Sequence, residues 1–170
     1  MARADAARRA WNDELAGRAI AAARAGASYS RAAGRPAAGA PVARLVIPRL
    51  DLDEIVLEGV GGDELNAGPG HVPGSASPGS AGNAIISAHR DRHFRRFDAL
   101  QVGDTLRTET GDAATTWIVV ATRVIDRDAP ALFQTRSATL TLTTCWPIRY
   151  FGSAPERLIV TAKPIGNRAG

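Results

Sequence analysis

The most restrictive feature of this sequence is a series of short apolar runs, each closed by glycine, proline or polar turn residues. Runs rich in β-branched residues with such boundaries are typical of β-strands. Seven or eight short strands with few helices predict an all-β fold, either an antiparallel barrel or a sandwich. The runs cover residues 43–47, 54–60, 83–88, 104–110, 115–126, 138–145 and 157–163.

The clearest of these runs ends at Cys145, the only cysteine of the chain. Leu140 and Leu142 alternate with threonines, which is the period-two pattern of a half-buried strand. A loop containing Trp146-Pro147, Gly152 and Pro155 follows, and Arg157 opens the next apolar run twelve positions after the cysteine. If the two strands pair through that loop, the thiol and the guanidinium lie at a common edge of one sheet.

The first 41 residues differ in composition from the rest. Residues 2–25 are alanine-rich and also contain arginine and one glutamate, Glu14, a composition that favours a helix. Residues 26–41 are small and interrupted by glycine and proline, as in a linker. We expect the folded domain to begin near Val42, with two short helical pieces at 62–67 and 93–100. The expected apolar stripe of the first helix is Trp11, Leu15, Ala19 and Ala22, and that of the last piece is Phe94, Phe97 and Leu100.

Charge and cysteine content narrow the possible partners. The net charge of +4 comes almost wholly from arginine, since Lys163 is the only lysine, and no aromatic residues are interleaved with the basic ones as in base-stacking surfaces. Nucleic acid is therefore not an expected partner. No run of about 18 apolar residues and no signal-peptide pattern is present, and one cysteine excludes an internal disulfide.

Cys145, His89 and Arg157 share a position at strand ends. His89 follows the apolar run at residues 84–88, as Cys145 follows its own run. A thiolate can attack a carbonyl and an imidazolium can protonate the departing amine. An arginine, always charged, can hold the substrate or stabilise an oxyanion. These three residues are candidates for acyl transfer, although a lone cysteine is more often a buried apolar residue.

A metal site is the competing interpretation of the histidines. His89 and His93 are four residues apart, and His71 and Cys145 could complete a zinc set. The surrounding arginines disfavour a cation, so we expect no metal and no other cofactor. His71 is predicted to be a loop histidine with a structural hydrogen bond, and His93 a surface or packing residue.

Several motifs, taken together and in order, resemble those of the sortase family of cysteine transpeptidases. Residues 141–145, Thr-Leu-Thr-Thr-Cys, match its TLxTC motif, and an arginine follows at the family's distance in Glu-Arg-Leu-Ile-Val. Residues 87–91, Ser-Ala-His-Arg-Asp, are close to its Ala-Gly-His segment, with Ser-Ala in place of Ala-Gly, and residues 68–76 also match. The resemblance runs from about residue 43 to 163 and is greatest to class D or the related Gram-negative group.

The resemblance implies an eight-stranded sortase-type barrel at residues 42–165, preceded by a helical extension and linker at 1–41. It implies Cys145 as nucleophile, His89 as general acid and base, and Arg157 as the substrate or oxyanion contact. Thr144 would be an auxiliary oxyanion or substrate contact.

The family cleaves a C-terminal sorting signal of the LPxTG type between Thr and Gly and joins the acyl group to an amine. The expected partners are therefore a protein bearing such a signal and an amine acceptor, such as a peptidoglycan stem peptide or a pilin lysine, with water as a substitute. Family members are anchored in the cytoplasmic membrane and face outward. This chain would then be the ectodomain, and residues 2–41 its stalk.

Two alternatives stay open. One is another Cys-His acyl-transfer enzyme, although the Ser-x-Gly-Cys arrangement of L,D-transpeptidases is absent and papain-like enzymes place Cys before His. The other is a non-catalytic β-barrel module in which Arg157 and its neighbours recognise anionic envelope polymers.

Overall fold

A closed barrel of eight strands forms the centre of the molecule, which confirms the all-β prediction. The computed structural model describes residues 5–13, 35–111, 113–129 and 134–166. Neighbouring strands follow the order β1-β2-β3-β4-β7-β8-β6-β5, and β5 closes onto β1. The strands are β1 (Pro41–Ile47), β2 (Leu52–Glu58), β3 (Gly70–His71), β4 (Asn83–Ser87), β5 (Thr105–Glu109), β6 (Ala114–Asp126), β7 (Thr139–Trp146) and β8 (Glu156–Pro164).

Strand β3 is the one that the sequence did not predict. It has only two residues, Gly70 and His71, and neither belongs to an apolar alternation. It nevertheless pairs in parallel with β2 and antiparallel with β4, so it closes the gap between them. The pairing of β4 with β7 is also parallel, so the barrel is mixed and not purely antiparallel.

Alternation along each strand separates the barrel core from the outer face. Leu140 and Leu142 are fully buried in the aliphatic core, together with Val160 and Ala162 of β8. Because successive side chains of a strand point to opposite faces, Cys145 lies on the outer face. The large core residues include Leu45, Ile47, Val56, Ile86, Leu106, Trp117 and Val119.

The N-terminal helix packs on the outside of the barrel. Helix α1 includes residues 5–13, and its Trp11 is 4% exposed against Ile55 and Leu57 of β2. Arg8 donates a hydrogen bond of 2.8 Å to the carbonyl of Asp53. The remainder of the predicted helix and most of the predicted linker lie outside the described residues, including the positions of Leu15, Ala19 and Ala22.

The two predicted internal helices have different outcomes. Helix α2 (Gly62–Ala67) forms as predicted. At 93–100 the prediction was wrong, since only Phe97–Ala99 is helical and its geometry is 3-10. Phe94 and Phe97 are fully buried with stacked rings 4.4 Å apart. Their spacing of three residues suits tight i+3 turns as well as an α-helix, which explains the error.

In the described part of the chain, no helix is long and apolar enough to cross a membrane.

Candidate active site

The β7–β8 ladder places Cys145 directly opposite Arg157. Directly opposed residues of an antiparallel pair have Cβ atoms about 4.5–5.5 Å apart, and both side chains are exposed. The sequence-based expectation that these strands pair through their loop is therefore confirmed. The thiol and the guanidinium share the outer face of the sheet.

His89 reaches the same place because β4 and β7 run in parallel. Their last ladder pair is Ser87 with Thr143, so both strands end at the same edge. Beyond that pair, the amide of Ala88 donates to the carbonyl of Thr143 at 3.2 Å. His89 follows at once and is half-buried.

One pocket of about 250 Å³ brings the predicted residues together. His89, Cys145, Arg157 and Thr144 all line it. Three apolar side chains form part of the wall: Val60 follows β2, Leu65 lies on α2, and Val72 follows β3. The lining is completed by Ser87 of β4, Thr143 of β7, and Ala88 beside His89. The pocket thus combines a thiol, an imidazole and a guanidinium with partly apolar walls.

Thr144 has a specific structural contact at this edge. Its side chain is 2% exposed, and its hydroxyl donates a 2.7 Å hydrogen bond to the carbonyl of Ala88. The bond joins the residue before Cys145 to the residue before His89. Whether the hydroxyl also contacts a substrate oxyanion stays a prediction.

Thr143 is a pocket residue that sequence reasoning did not single out. Its side chain is 2% exposed, and its hydroxyl oxygen has no hydrogen-bond partner among the described residues. Its parity with Cys145 on β7 was the available signal, since residues two apart on a strand share a face.

His71 belongs to a separate buried cluster. Its Nδ1 lies 2.6 Å from Glu58 Oε2, and its Nε2 lies 2.9 Å from both the Ala76 carbonyl and Ser75 Oγ. These distances are those of a Ser-His-Glu triad. However, a carbonyl can only accept, so Nε2 carries a hydrogen, and the serine hydroxyl donates to the carbonyl of Val72. The imidazole therefore cannot take a proton from Ser75, and the cluster is structural.

The buried hydrogen bonds of His71 agree with the structural hydrogen bond predicted for it, although the residue lies on a strand and not in a loop.

His93 is half-buried, with Nδ1 3.5 Å from Glu54 Oε1. Within the described ranges, no group of three or more His, Cys, Asp or Glu side chains could hold a metal ion. The candidate zinc set of His71, His89, His93 and Cys145 is therefore not assembled.

Comparisons with known proteins agree with this geometry. The family model of the sortase domain matches residues 45–165. Sortase D of Bacillus subtilis is 37% identical over 112 residues, which cover 65% of this chain and 57% of that relative. The chain thus spans somewhat over half of that relative's length.

Solved structures give the same result. A sortase D5 transpeptidase of Clostridium perfringens superposes with a TM-score of 0.69 at 30% identity, covering 76% of this chain and 82% of the other. The catalytic domain of B. anthracis SrtD superposes with a TM-score of 0.65 at 30% identity, covering 82% and 97%. Sortase C1 of Streptococcus agalactiae has a TM-score of 0.69 at 27% identity, covering 76% and 69%.

Proposed function

Because the chain belongs to the sortase family of cysteine transpeptidases and is most like class D, we propose that it cleaves a C-terminal sorting signal of the LPxTG type and transfers the acyl group to an amine. The observation that carries the proposal is the single pocket shared by Cys145, His89 and Arg157. The proposed catalytic unit is residues 42–165, and residues 1–41 are proposed as the extension that precedes it.

In the first half-reaction, the Cys145 thiolate attacks the carbonyl carbon of the signal's threonine. A carbon–sulfur bond forms, and the carbonyl electrons move to an oxyanion that faces the Arg157 guanidinium. Collapse of this intermediate breaks the Thr–Gly bond. The His89 imidazolium gives its proton to the departing glycine amine, which leaves a thioester on Cys145.

The second half-reaction reverses these roles. An acceptor amine attacks the thioester carbonyl, and neutral His89 takes the proton that the amine loses. The thiolate leaves, the new amide is released, and the original protonation states are restored. Water in place of the amine gives hydrolysis.

The location of the pocket on the outer face of the barrel supports a macromolecular substrate. The opening between β4, β7 and β8 lies at a sheet surface, where an extended segment of another protein can bind. The proposed acceptor is a peptidoglycan stem peptide, a pilin lysine or another amine. The proposed site of action is the cell envelope, on the outward face of the cytoplasmic membrane, with the full-length protein anchored there.

Nucleophile replacement tests the proposal. We expect Cys145→Ala to abolish cleavage of a quenched LPxTG or LPxTA peptide, because no other described group of the pocket can form the thioester. His89→Gln should also lose turnover, since its amide cannot carry the proton. Mass spectrometry of the wild-type protein with peptide should show an acyl adduct on Cys145. Retained turnover in a folded Cys145→Ala protein would contradict the assignment.

Arg157→Lys tests the role of the guanidinium. A single ammonium cannot reproduce a planar fork of donors, so we expect kcat/KM to fall by about 10²–10³-fold, the usual loss for an oxyanion donor. Arg107→Lys is the matched control, since Arg107 is an exposed arginine of β5 outside the pocket. Equal kcat/KM in the two variants would show that Arg157 is not at the reaction centre.

A further inference from the structure

Arg90, the residue directly after His89, makes three hydrogen bonds to the loop that connects β7 with β8. Its Nη1 donates to the carbonyl of Pro147 at 3.1 Å, and its Nη2 donates to those of Tyr150 at 3.0 Å and Gly152 at 2.7 Å. The guanidinium also lies over the Tyr150 ring, 5.6 Å from its centroid. One side chain next to the candidate acid-base residue thus holds a loop that begins just after the candidate nucleophile.

Few other contacts hold the middle of the loop. Among the described residues, the hydrogen bonds that reach residues 147–154 from elsewhere in the chain all come from Arg90, and the next residue, Pro155, accepts one from the amide of Arg127. Ile148 and Ala154, towards the two ends of the loop, pack against the core or are buried, whereas Tyr150 is 48% exposed and Phe151 is fully exposed. Without Arg90, three carbonyls would face solvent, and the loop would gain conformational freedom.

Two contacts, one before and one after the candidate residues in sequence, join the β4 end to the β7 end. Before His89 and Cys145, the Thr144 hydroxyl joins β7 to the carbonyl of Ala88. On the other side, Arg90 joins the His89 segment to Pro147. His89 and Cys145 therefore lie between two links that connect the same pair of chain segments.

We propose that Arg90 is a positioning residue, which fixes the β7–β8 loop and the placement of the His89 imidazole relative to the Cys145 thiol. The proposal rests on the proposed function, because it concerns the distance between the two reacting groups. Arg90 does not line the pocket, so it acts through the segments that it joins. An arginine suits this role because its guanidinium carries five donors in a rigid plane, whereas a lysine ammonium is a single point of charge.

Two variants and a control test the proposal. Arg90→Ala removes all three bonds, and Arg90→Lys keeps the charge but not the fork. Arg92→Ala is the matched control, since it removes the same charge two residues further along the chain. The Arg92 side chain is exposed and has no hydrogen bond or ion pair among the described residues. Melting curves of all variants show whether they fold.

The first measurement is steady-state kinetics with a sorting-signal peptide across pH. A misplacement of about 1 Å can cost about 10²-fold in rate, so we expect kcat/KM of Arg90→Ala to fall by about 10- to 100-fold. Most of the loss should be in kcat, and the pH profile should change shape because proton transfer from His89 is impaired. Arg90→Lys should lie between, and Arg92→Ala should equal the wild type.

The second measurement needs no substrate. The rate of Cys145 alkylation by iodoacetamide is followed against pH, since a nearby imidazolium favours the reactive thiolate. We expect the Arg90→Ala profile to differ from that of the wild type, because the imidazole no longer keeps its place beside the thiol, while Arg92→Ala keeps the wild-type profile. A purely structural role would lower the melting temperature and leave both pH profiles unchanged.

The outcomes separate this proposal from the proposed function. Full activity in Cys145→Ala would overturn the function, whereas the alkylation profiles still report the effect of Arg90 on the thiol. An Arg90→Ala protein that matches Arg92→Ala in kcat and in alkylation profile overturns the positioning role. If Arg90→Ala does not fold, Arg90→Lys is the variant that tests the proposal. An Arg90→Lys protein with the kcat and the alkylation profile of the wild type would then overturn it.

Discussion

Replacement of Thr144 by valine is expected to damage stability and activity together. The hydroxyl donates to the carbonyl of Ala88 at 2.7 Å, and both residues are buried. Valine has nearly the same shape, but it puts a methyl group where the hydroxyl was. Because the bond joins the segments that carry Cys145 and His89, its loss affects the fold and the site at once.

The size of both effects follows from the distance. A buried carbonyl left without its partner costs about 1–3 kcal/mol, which lowers the melting temperature by about 2–4 °C per kcal/mol in a protein of this size. A carbon atom approaches a carbonyl oxygen to about 3.3–3.6 Å. Ala88 must therefore move by roughly 0.6–0.9 Å, and a shift of that size next to His89 is expected to lower kcat/KM by about 10- to 100-fold.

Thermal unfolding and peptide-cleavage kinetics of Thr144→Val measure the two losses. Thr144→Ser is the matched control, because it keeps the hydroxyl donor and removes only a methyl group. We expect the serine variant to retain activity within a few-fold of the wild type and to keep most of the stability.

The result that refutes this reasoning is a Thr144→Val protein with the wild-type melting temperature. If its kcat/KM is nevertheless reduced, the hydroxyl acts on the substrate oxyanion, and its bond to Ala88 contributes nothing to folding. A serine variant as damaged as the valine variant would instead assign the effect to the lost methyl group.

Two further predictions concern the barrel. The buried Trp117 indole N–H donates to Thr108 Oγ1 at 2.8 Å, and Thr108→Val leaves it without an acceptor. We expect chemical denaturation to show a loss of about 1–3 kcal/mol in the free energy of unfolding, with Thr108→Ser close to the wild type. Equal stability of the valine variant and the wild type would contradict this. The second concerns Asp53, whose pKa is held below its usual range by two 2.7 Å hydrogen bonds from Arg44, against the opposing effect of burial. A carboxylate whose pKa is lower in the folded state than in the unfolded state stabilises the fold at pH values above the unfolded-state pKa of about 3.9. This stabilisation is lost as the pH falls through the lower folded-state pKa. Asp53→Asn should thus lower the free energy of unfolding at pH 7 by under about 1 kcal/mol, since the pair is partly exposed. Melting curves should show a small difference from the wild type at pH 7 that vanishes towards pH 2, and a difference that stays constant with pH would refute the ion pair's contribution.

Prediction from sequence succeeded where a local pattern and the final environment agree. Leu140 and Leu142 alternate with threonine, and that alternation predicted the strand that leads to Cys145. The interval between Cys145 and Arg157 predicted their pairing because the loop residues between them cannot continue a strand. His89 was singled out because it follows an apolar run, as Cys145 does, and the resemblance of residues 87–91 to the Ala-Gly-His segment supported its role.

Prediction failed where the determining contact is distant in sequence. Strand β3 exists only because β2 and β4 flank it, and Gly70-His71 alone carries no strand pattern. The Glu58–His71 pair joins residues 13 apart across a parallel ladder. Arg90 looked like one of several surface arginines, since its acceptors are backbone carbonyls, which a sequence does not distinguish.

The β7–β8 ladder alone determines how Cys145 and Arg157 are placed, and the loop between the two strands does not take part in it. Seven consecutive residue pairs between β7 and β8 place Cys145 against Arg157, and none of them belongs to the intervening loop. Arg90 contacts only main-chain oxygens there for its hydrogen bonds, so the exposed side chains of Arg149, Phe151 and Ser153 are free to vary. In the proposed enzyme, substitutions at these exposed loop positions can change the selectivity for a peptide without disturbing the ladder, whereas a one-residue slip of β8 would turn Arg157 into the barrel core.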